Sequence, residues 1–368
     1  MQAVVQTHSG VGPCCLIQNL SGKQQTVGEA WNDPAWKSIR TKMLDSNAEI
    51  PECAECVRHE QQFGSSMRTT TLRDYKFLSP DHYEKLLDHY QWRDLSYPRR
   101  VELHSSNLCN LKCLTCRPED SSSFLTENRV IGISQHQQKD YEVDASTVEE
   151  VKQALMQGQI DLLDLRGGES MMVPEIYKML DTLSDSVYNK TVLRIQTNCT
   201  VLTLEWKELL SRFSTVEVMM SIDAVEHYNN YIRFPSKWVD VVAAVDWFTR
   251  QPNIKSYINC TVSNLNLHVL PMLLEWCRER RIYLYLYPVS YPEIFQFQNL
   301  PASLLQWAQQ RLIPYRTWND KLDGIISSQA LNNNDLWKQF CQTISLRDQH
   351  RRNSIFEICP SMKDHWIL

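Results

Sequence analysis

Val101-Glu-Leu-His104 is followed, after Ser-Ser-Asn-Leu, by Cys109-Asn-Leu-Lys-Cys113-Leu-Thr-Cys116. The first four residues read as a short strand, and the loop that leaves it carries three cysteines separated by three and by two residues. In a chain of 368 residues with twelve cysteines, composition alone produces this spacing about once in a hundred sequences. Three thiols in one loop with no fourth cysteine nearby suit an iron-sulfur cluster that leaves one iron open to an exchangeable ligand, much as a catalytic zinc keeps one position open. A structural zinc knuckle is the alternative. It wants a fourth ligand close by, and His104, the local candidate, is expected to be buried in its strand.

Outward from this loop, short apolar runs alternate with segments of helical period between about residues 97 and 290, the pattern of parallel strands joined by crossover helices. Strands are expected at Val101–His104, Leu162–Leu165, Val192–Gln196, Val216–Ser221, Tyr257–Val262 and Ile282–Tyr287. Ser146 and Glu149 predict a capping box ahead of Val148, Val151 and Leu155. Trp206, Leu209, Leu210 and Phe213 share one helix face, as do Trp238, Val241, Val242 and Val245 after Pro235 and Ser236. The expected fold is therefore α/β: a partial (β/α)6 TIM-like barrel over 97–290, with functional residues at the carboxyl ends of its strands.

Two regions and the linker between the first of them and the barrel fall outside the repeat. Residues 1–75 hold Cys14, Cys15, Cys53 and Cys56 amid Gly, Pro, Trp and Asp punctuation and predict a small metal-nucleated module. Residues 76–96, with the helix-like stretch Asp81–Trp92, read as a linker. Residues 291–368, rich in Gln, Asn and aromatics, predict a helical extension over the open side of the barrel.

A formal charge of -5 gives no global attraction to polyanions, and the short basic run Arg278–Arg281 is that of a solvated helix end, so nucleic acid is not an expected partner. No apolar run approaches the ~18 residues of a membrane span. The start MQAVVQTHSG has no basic region followed by an apolar stretch. A cytoplasmic protein is expected, in which clustered cysteines bind metal rather than one another.

With these residues in view, the loop resembles the CxxxCxxC signature of the radical S-adenosylmethionine superfamily. The resemblance implies that Cys109, Cys113 and Cys116 hold a 4Fe-4S cluster whose open iron is chelated by S-adenosylmethionine. An electron from a flavodoxin- or ferredoxin-like reductant then cleaves the sulfonium, and the resulting 5'-deoxyadenosyl radical takes a hydrogen from the substrate. Later strand ends continue the resemblance. Gly167-Gly168-Glu169 is similar to the family's GGE motif, its carboxylate balancing the methionine ammonium. Asn198 lies in Thr-Asn-Cys, where relatives have Thr-Asn-Gly, and Ser221 and Asp223 lie in a stretch similar to Ser-Ile-Asp-Gly, with Ala224 replacing the glycine. Arg233, Ser263 and Asn266 complete the implied cofactor contacts, against the bland readings of a surface ion pair and of helix caps. The run Tyr231–Trp238 is similar to relatives with peptide-like or unidentified substrates. Thr115 stands where the family has an aromatic residue beside the adenine.

The N-terminal cysteines resemble a twitch or SPASM-like segment, which implies an auxiliary iron-sulfur cluster on Cys53, Cys56 and one of Cys14 and Cys15. A longer N-terminus or a noncysteine ligand such as His59 would complete that set, and zinc is the alternative metal. The implied activity is hydrogen abstraction from a peptide, protein or other substrate. The rivals are an RNA- or nucleotide-modifying member, which predicts a contiguous basic groove, and a noncatalytic zinc-stabilised binding protein.

Overall fold

The structure is a computed structural model and describes residues 3–6, 10–14, 17, 25–43, 49–64, 66, 68–69, 95–133 and 141–367. Cys15 and the expected helix Asp81–Trp92 lie outside them.

Six strands run parallel in sequence order: β3 (Arg100–His104), β4 (Leu162–Arg166), β5 (Val192–Thr197), β6 (Val216–Ser221), β7 (Ile254–Val262) and β8 (Tyr283–Pro288). Their starts and ends lie within three residues of the expected ones. The N-terminus adds two strands that the sequence reading lacks. β1 (Ala3–Gln6) pairs parallel to β3, with Val5 opposite Leu103, and β2 (Gly10–Gly12) closes that edge antiparallel to β1. Eight strands therefore form one sheet, ordered β2-β1-β3-β4-β5-β6-β7-β8.

Crossover helices, among them Ala145–Met156, Leu204–Arg212, Trp238–Arg250 and Leu270–Arg280, separate consecutive parallel strands. They cover the strand positions Val101, Leu103, Leu163, Leu165, Leu193, Ile195 and Val218, all at most 1% exposed and members of one apolar core. Successive side chains of a strand alternate between faces, so the other face carries Arg100, Glu102, Asp164, Arg194 and Glu217. In register, Glu102 lies beside Asp164, Asp164 beside Arg194, and Arg194 beside Glu217. The row closes by ion pairs: Arg100 Nη2 to Asp164 Oδ2 at 2.9 Å and Arg194 Nη2 to Glu217 Oε2 at 2.6 Å. The concave face of the barrel is thus filled by paired charge below and a cavity above.

The helix Ala145–Met156 starts after Asp144, two residues earlier than a Ser146 cap requires, and no capping box forms there; Glu149 instead accepts from Gln153 Nε2 at 2.6 Å. A capping box does form between Thr26 and Glu29, opening the helix Val27–Asn32. That helix docks on the barrel: the amides of Val27 and Gly28 donate to the Glu150 carboxylate at 3.1 and 2.9 Å, and Val27, Ala30, Trp31 and Trp36 join the barrel's core. The C-terminal residues form the helices Ala302–Leu312, Leu322–Ser327, Asn334–Arg351 and Ile355–Ile358. Among the described residues no helix is long and apolar enough to cross a membrane.

Candidate active site

The cysteine loop is built by three backbone tethers. On one side the turn after β4 lies flat on residues 106–108: the Gly168 amide donates to Ser106 O and the Glu169 amide to Leu108 O, both at 2.7 Å. This contact is what the two glycines serve. Gly167 has φ +122°, and a Cβ there would stand 2.5 Å from Ser106 O, while one at Gly168 would stand 2.3 Å from Leu108 O. On the second side the serines at the start of the helix Ser122–Val130 hold loop carbonyls: Ser121 Oγ donates to Leu111 O and Ser123 Oγ to Cys109 O, both at 2.7 Å. On the third, the amides of Lys112 and Leu114 donate to Phe234 O and Ile232 O at 2.6 and 2.8 Å. Cys113 and Arg233 are thereby the middle residues of two short facing segments.

Cys109, Cys113 and Cys116 pack together around Leu111 at one wall of a cavity of about 320 Å³, within the ~300–1,000 Å³ of small-molecule sites. Gly167, Gly168, Asn198, Ser221 and Arg233 line the same cavity. Burial pushes the Cys109 thiol up to about 12 and raises Cys113 and Cys116 as well, while the charge of Arg233 acts in the opposite direction on all three. The unligated site therefore holds thiols, and a metal must displace their protons to bind. Among the described residues no three His, Cys, Asp or Glu side chains converge on a single ion-sized position.

Four residues expected at the cofactor do not line the cavity. Glu169 is 1% exposed; its Oε2 accepts from the Asn198 amide at 2.7 Å and its Oε1 from the Met171 amide at 3.4 Å. Burial raises its carboxyl to about 7, against the lowering effect of those hydrogen bonds. Asp223, also 1% exposed, accepts from Arg233 Nη1 and from the Thr261 amide, both at 2.8 Å, and so aims the arginine. Ser263 and Asn266 are fully buried and turned on each other: Asn266 Oδ1 accepts from the Ser263 amide at 2.8 Å, and its Nδ2 donates to Asp223 O at 2.7 Å. These side chains brace the wall from behind. Arg233, held by Asp223, does reach the cavity, and its Nε is buried without a hydrogen-bond partner among the described residues, an unused donor beside the cavity.

Asn198 ties the third strand end to the cysteine loop. Its Nδ2 donates to Asn110 Oδ1 at 2.9 Å and approaches Cys109 Sγ at 3.9 Å, while Thr200 Oγ1 donates to its Oδ1 at 2.6 Å. The next residue, Cys199, has φ 63°, the left-handed conformation that favours the glycine of the Thr-Asn-Gly pattern. Cys199→Gly is expected to change stability by less than about 1 kcal/mol, relief of the left-handed backbone offsetting the lost burial of Sγ. Cys199→Val adds a methyl group at a buried site and is expected to cost more than about 1 kcal/mol, because of overpacking and because a branched Cβ fits that backbone poorly. Denaturant midpoints of the two variants check the order.

Several lining residues carry no motif and escape a sequence reading: Gln196, Asn259 and Thr261 from the inner faces of β5 and β7, and Arg166 from β4; His104 of β3, expected to be buried, lines the cavity as well. Alternation along the strands is the signal that could have found them. His104 is half-buried, with Nε2 2.9 Å from Glu102 Oε1 rather than turned to the cysteines. Tyr291, 64% exposed, is the one Tyr, Trp or Phe on the cavity among the described residues.

In the N-terminal segment Cys53 closes a 3-10 turn and Cys56 lies one helical turn on, both buried. Burial raises the Cys53 thiol, and neighbouring Cys56 and Cys14 raise it further, so the three share one electrostatic neighbourhood. His59 pairs with Glu55 at 3.1 Å. Cys15 lies outside the described residues.

No protein-family model matches the sequence, and no curated protein matches it. Among solved structures the fold is similar to that of anSMEcpe with bound AdoMet, at 19% identity and a TM-score of 0.43 over 61% of this chain and 62% of that one. It is similar to Streptococcus suis SuiB bound to S-adenosylmethionine at 16% identity and a TM-score of 0.43, over 77% of this chain and 58% of that one. SuiB bound to the precursor peptide SuiA gives 16% and 0.43 over 65% and 50%. The chain spans 50% to 62% of the length of these proteins.

Proposed function

We propose that this chain is a radical S-adenosylmethionine enzyme whose cluster is held by Cys109, Cys113 and Cys116. The observation that carries the reading is the donor set: three thiols from one strand-end loop, packed together on the wall of a small-molecule cavity. When bound, a 4Fe-4S cluster on these thiolates would supply an electron to the sulfonium of S-adenosylmethionine, the source of the radical that takes a substrate hydrogen. Gly167, Gly168, Asn198 and Ser221 line the cavity and would hold that cofactor. Arg233, aimed by Asp223 at 2.8 Å, supplies a fixed positive charge for a carboxylate and for the thiolate-bound cluster. Glu169, Ser263 and Asn266 act through the backbone they hold.

The rest of the reading follows the same organisation. Residues 1–75 extend the barrel's sheet with β1 and β2 and carry Cys53, Cys56 and one of Cys14 and Cys15, which hold an auxiliary iron-sulfur cluster; 76–96 lead into the rest of the barrel, 97–290, and 291–368 form the C-terminal extension. The substrate is a peptide or protein, the run Tyr231–Trp238 being the part of the sequence that resembles relatives of that kind. The electron comes from a cytoplasmic flavodoxin or ferredoxin.

Anaerobic reconstitution with iron and sulfide tests the donor set. The unmutated chain is expected to bind about four iron and four sulfide more than a variant with Cys109, Cys113 and Cys116 all changed to Ala. Equal metal in the two would refute the assignment.

A further inference from the structure

The helix Asn334–Arg351 ends on the cysteine loop. Arg347 and Arg351, one turn apart on its buried face and 3% and 9% exposed, converge on Glu127 of the helix Ser122–Val130. Arg347 Nη1 donates to Glu127 Oε2 at 2.5 Å, and Arg351 donates through Nε to Oε1 at 2.9 Å and through Nη2 to Oε2 at 2.7 Å. The same Nη2 donates to Lys112 O at 2.6 Å. Lys112 immediately precedes Cys113, and its amide is already held by Phe234 O. The N–H and the C=O of Lys112 are therefore both fixed, the first by the arm that carries Arg233 and the second by the C-terminal helix. The Arg351 guanidinium also lies 5.0 Å over the ring of Phe234, packing the two tethers together. Glu127 sits one helical turn beyond Ser123, which holds Cys109 O, so the same arginine fixes the loop twice, directly and through the serine helix.

We propose that Arg351 is a positioning residue for the Cys113 ligand, and that docking of the C-terminal helix and retention of the cluster are one coupled event. This rests on the reading of the three cysteines as cluster ligands. A planar fork that serves a carboxylate and a carbonyl at once has geometry a lysine cannot reproduce. Outer residues that hold metal ligands typically change affinity ten- to a hundredfold when removed. By linkage, a cluster that binds better when the helix is docked also holds the helix docked when it is bound.

The test uses the full chain, reconstituted with iron and sulfide, and compares Arg351→Met, Arg351→Lys and Tyr231→Phe. Tyr231 OH donates to Asp348 Oδ1 at 2.8 Å, a contact of the same helix that does not involve Arg351 or Lys112, so its variant removes one helix contact while leaving Arg351 in place. Expected is loss of cluster to a chelator roughly tenfold or more faster in Arg351→Met, only partial recovery in Arg351→Lys, and an unmutated rate in Tyr231→Phe. Hydrogen exchange over 334–351 is expected to slow on reconstitution of the unmutated chain and not of Arg351→Met. Chelator loss at the unmutated rate in Arg351→Met, or the same acceleration in Tyr231→Phe, overturns the proposal. If the unmutated chain binds no iron at Cys109, Cys113 and Cys116, the reading of the site fails instead. Alkylation of Cys113 in the metal-free protein then decides the clamp, faster in Arg351→Met but not in Tyr231→Phe if it exists, and alike in both if it does not.

Discussion

Asp164→Asn is expected to destabilise the protein by about 3–5 kcal/mol, the usual cost of breaking a buried ion pair from one side. Asp164 is fully buried beneath the cavity and accepts from Arg100 Nη2 at 2.9 Å and Arg166 Nη2 at 3.2 Å, with Arg194 Nη1 at 3.7 Å. An amide leaves three guanidinium groups facing one another; Nε and Nη1 of Arg100 already lack a hydrogen-bond partner among the described residues. Burial alone would raise this carboxyl, but Arg166, Arg194 and Arg100 outweigh it and hold it well below the usual carboxylate range. Because the folded value lies below the unfolded one of ~3.9, the contribution is fully present above that pH and is lost as pH falls below it toward the folded value. Denaturant midpoints across the acid limb should show the gap between the parent and Asp164→Asn widest near neutrality and closing below about pH 4.

Gly168→Ala is the second large effect, and it acts on metal as well as stability. The new Cβ would meet Leu108 O at 2.3 Å and Asn107 C at 2.7 Å, both backbone atoms that no rotamer change can move. Relief requires parting the bonds from Gly168 to Ser106 and from Glu169 to Leu108, which shifts the residue next to Cys109. The expected cost is about 1–3 kcal/mol of overpacking, with iron retention lowered roughly ten- to a hundredfold. Gly324→Ala is the control: nothing stands within 4 Å of its Cβ in the helix Leu322–Ser327, and it is expected to stabilise by about 0.5–1 kcal/mol. Iron retention and thermal midpoints of the two variants measure the difference.

The parallel strands were legible because β3 to β8 carry apolar residues on the face the helices cover, bounded by readable turns. β1 was not, since Val4 and Val5 are too few to establish a period and gain their burial only by pairing with β3. The charged concave face was present in the letters, as Arg100, Glu102, Asp164, Arg194 and Glu217 at alternate positions. Its meaning needed the register, which turns five isolated charges into one paired row.

At the site, the cysteine spacing and the order of the later motifs pointed to strand ends that the parallel sheet brings to one rim, where Cys109, Gly167, Asn198 and Ser221 line one cavity. Spacing could not tell which side chains turn to the cavity and which turn to backbone. Arg233 and Asp223 sit ten residues apart as a lining donor and its buried acceptor. Gly167 and Gly168 serve the fit between two loops as well as the cavity they line. Arg351 lies 238 positions from Cys113 and belongs to no local pattern; only the fold brings its guanidinium to Lys112 O.

The central claim is tested most directly by product. Anaerobically reconstituted protein, supplied with dithionite and S-adenosylmethionine, is expected to form 5'-deoxyadenosine, and the variant with Cys109, Cys113 and Cys116 all changed to Ala is expected to form none. Equal amounts from the two, with iron and sulfide confirmed on the unmutated chain, would contradict the account.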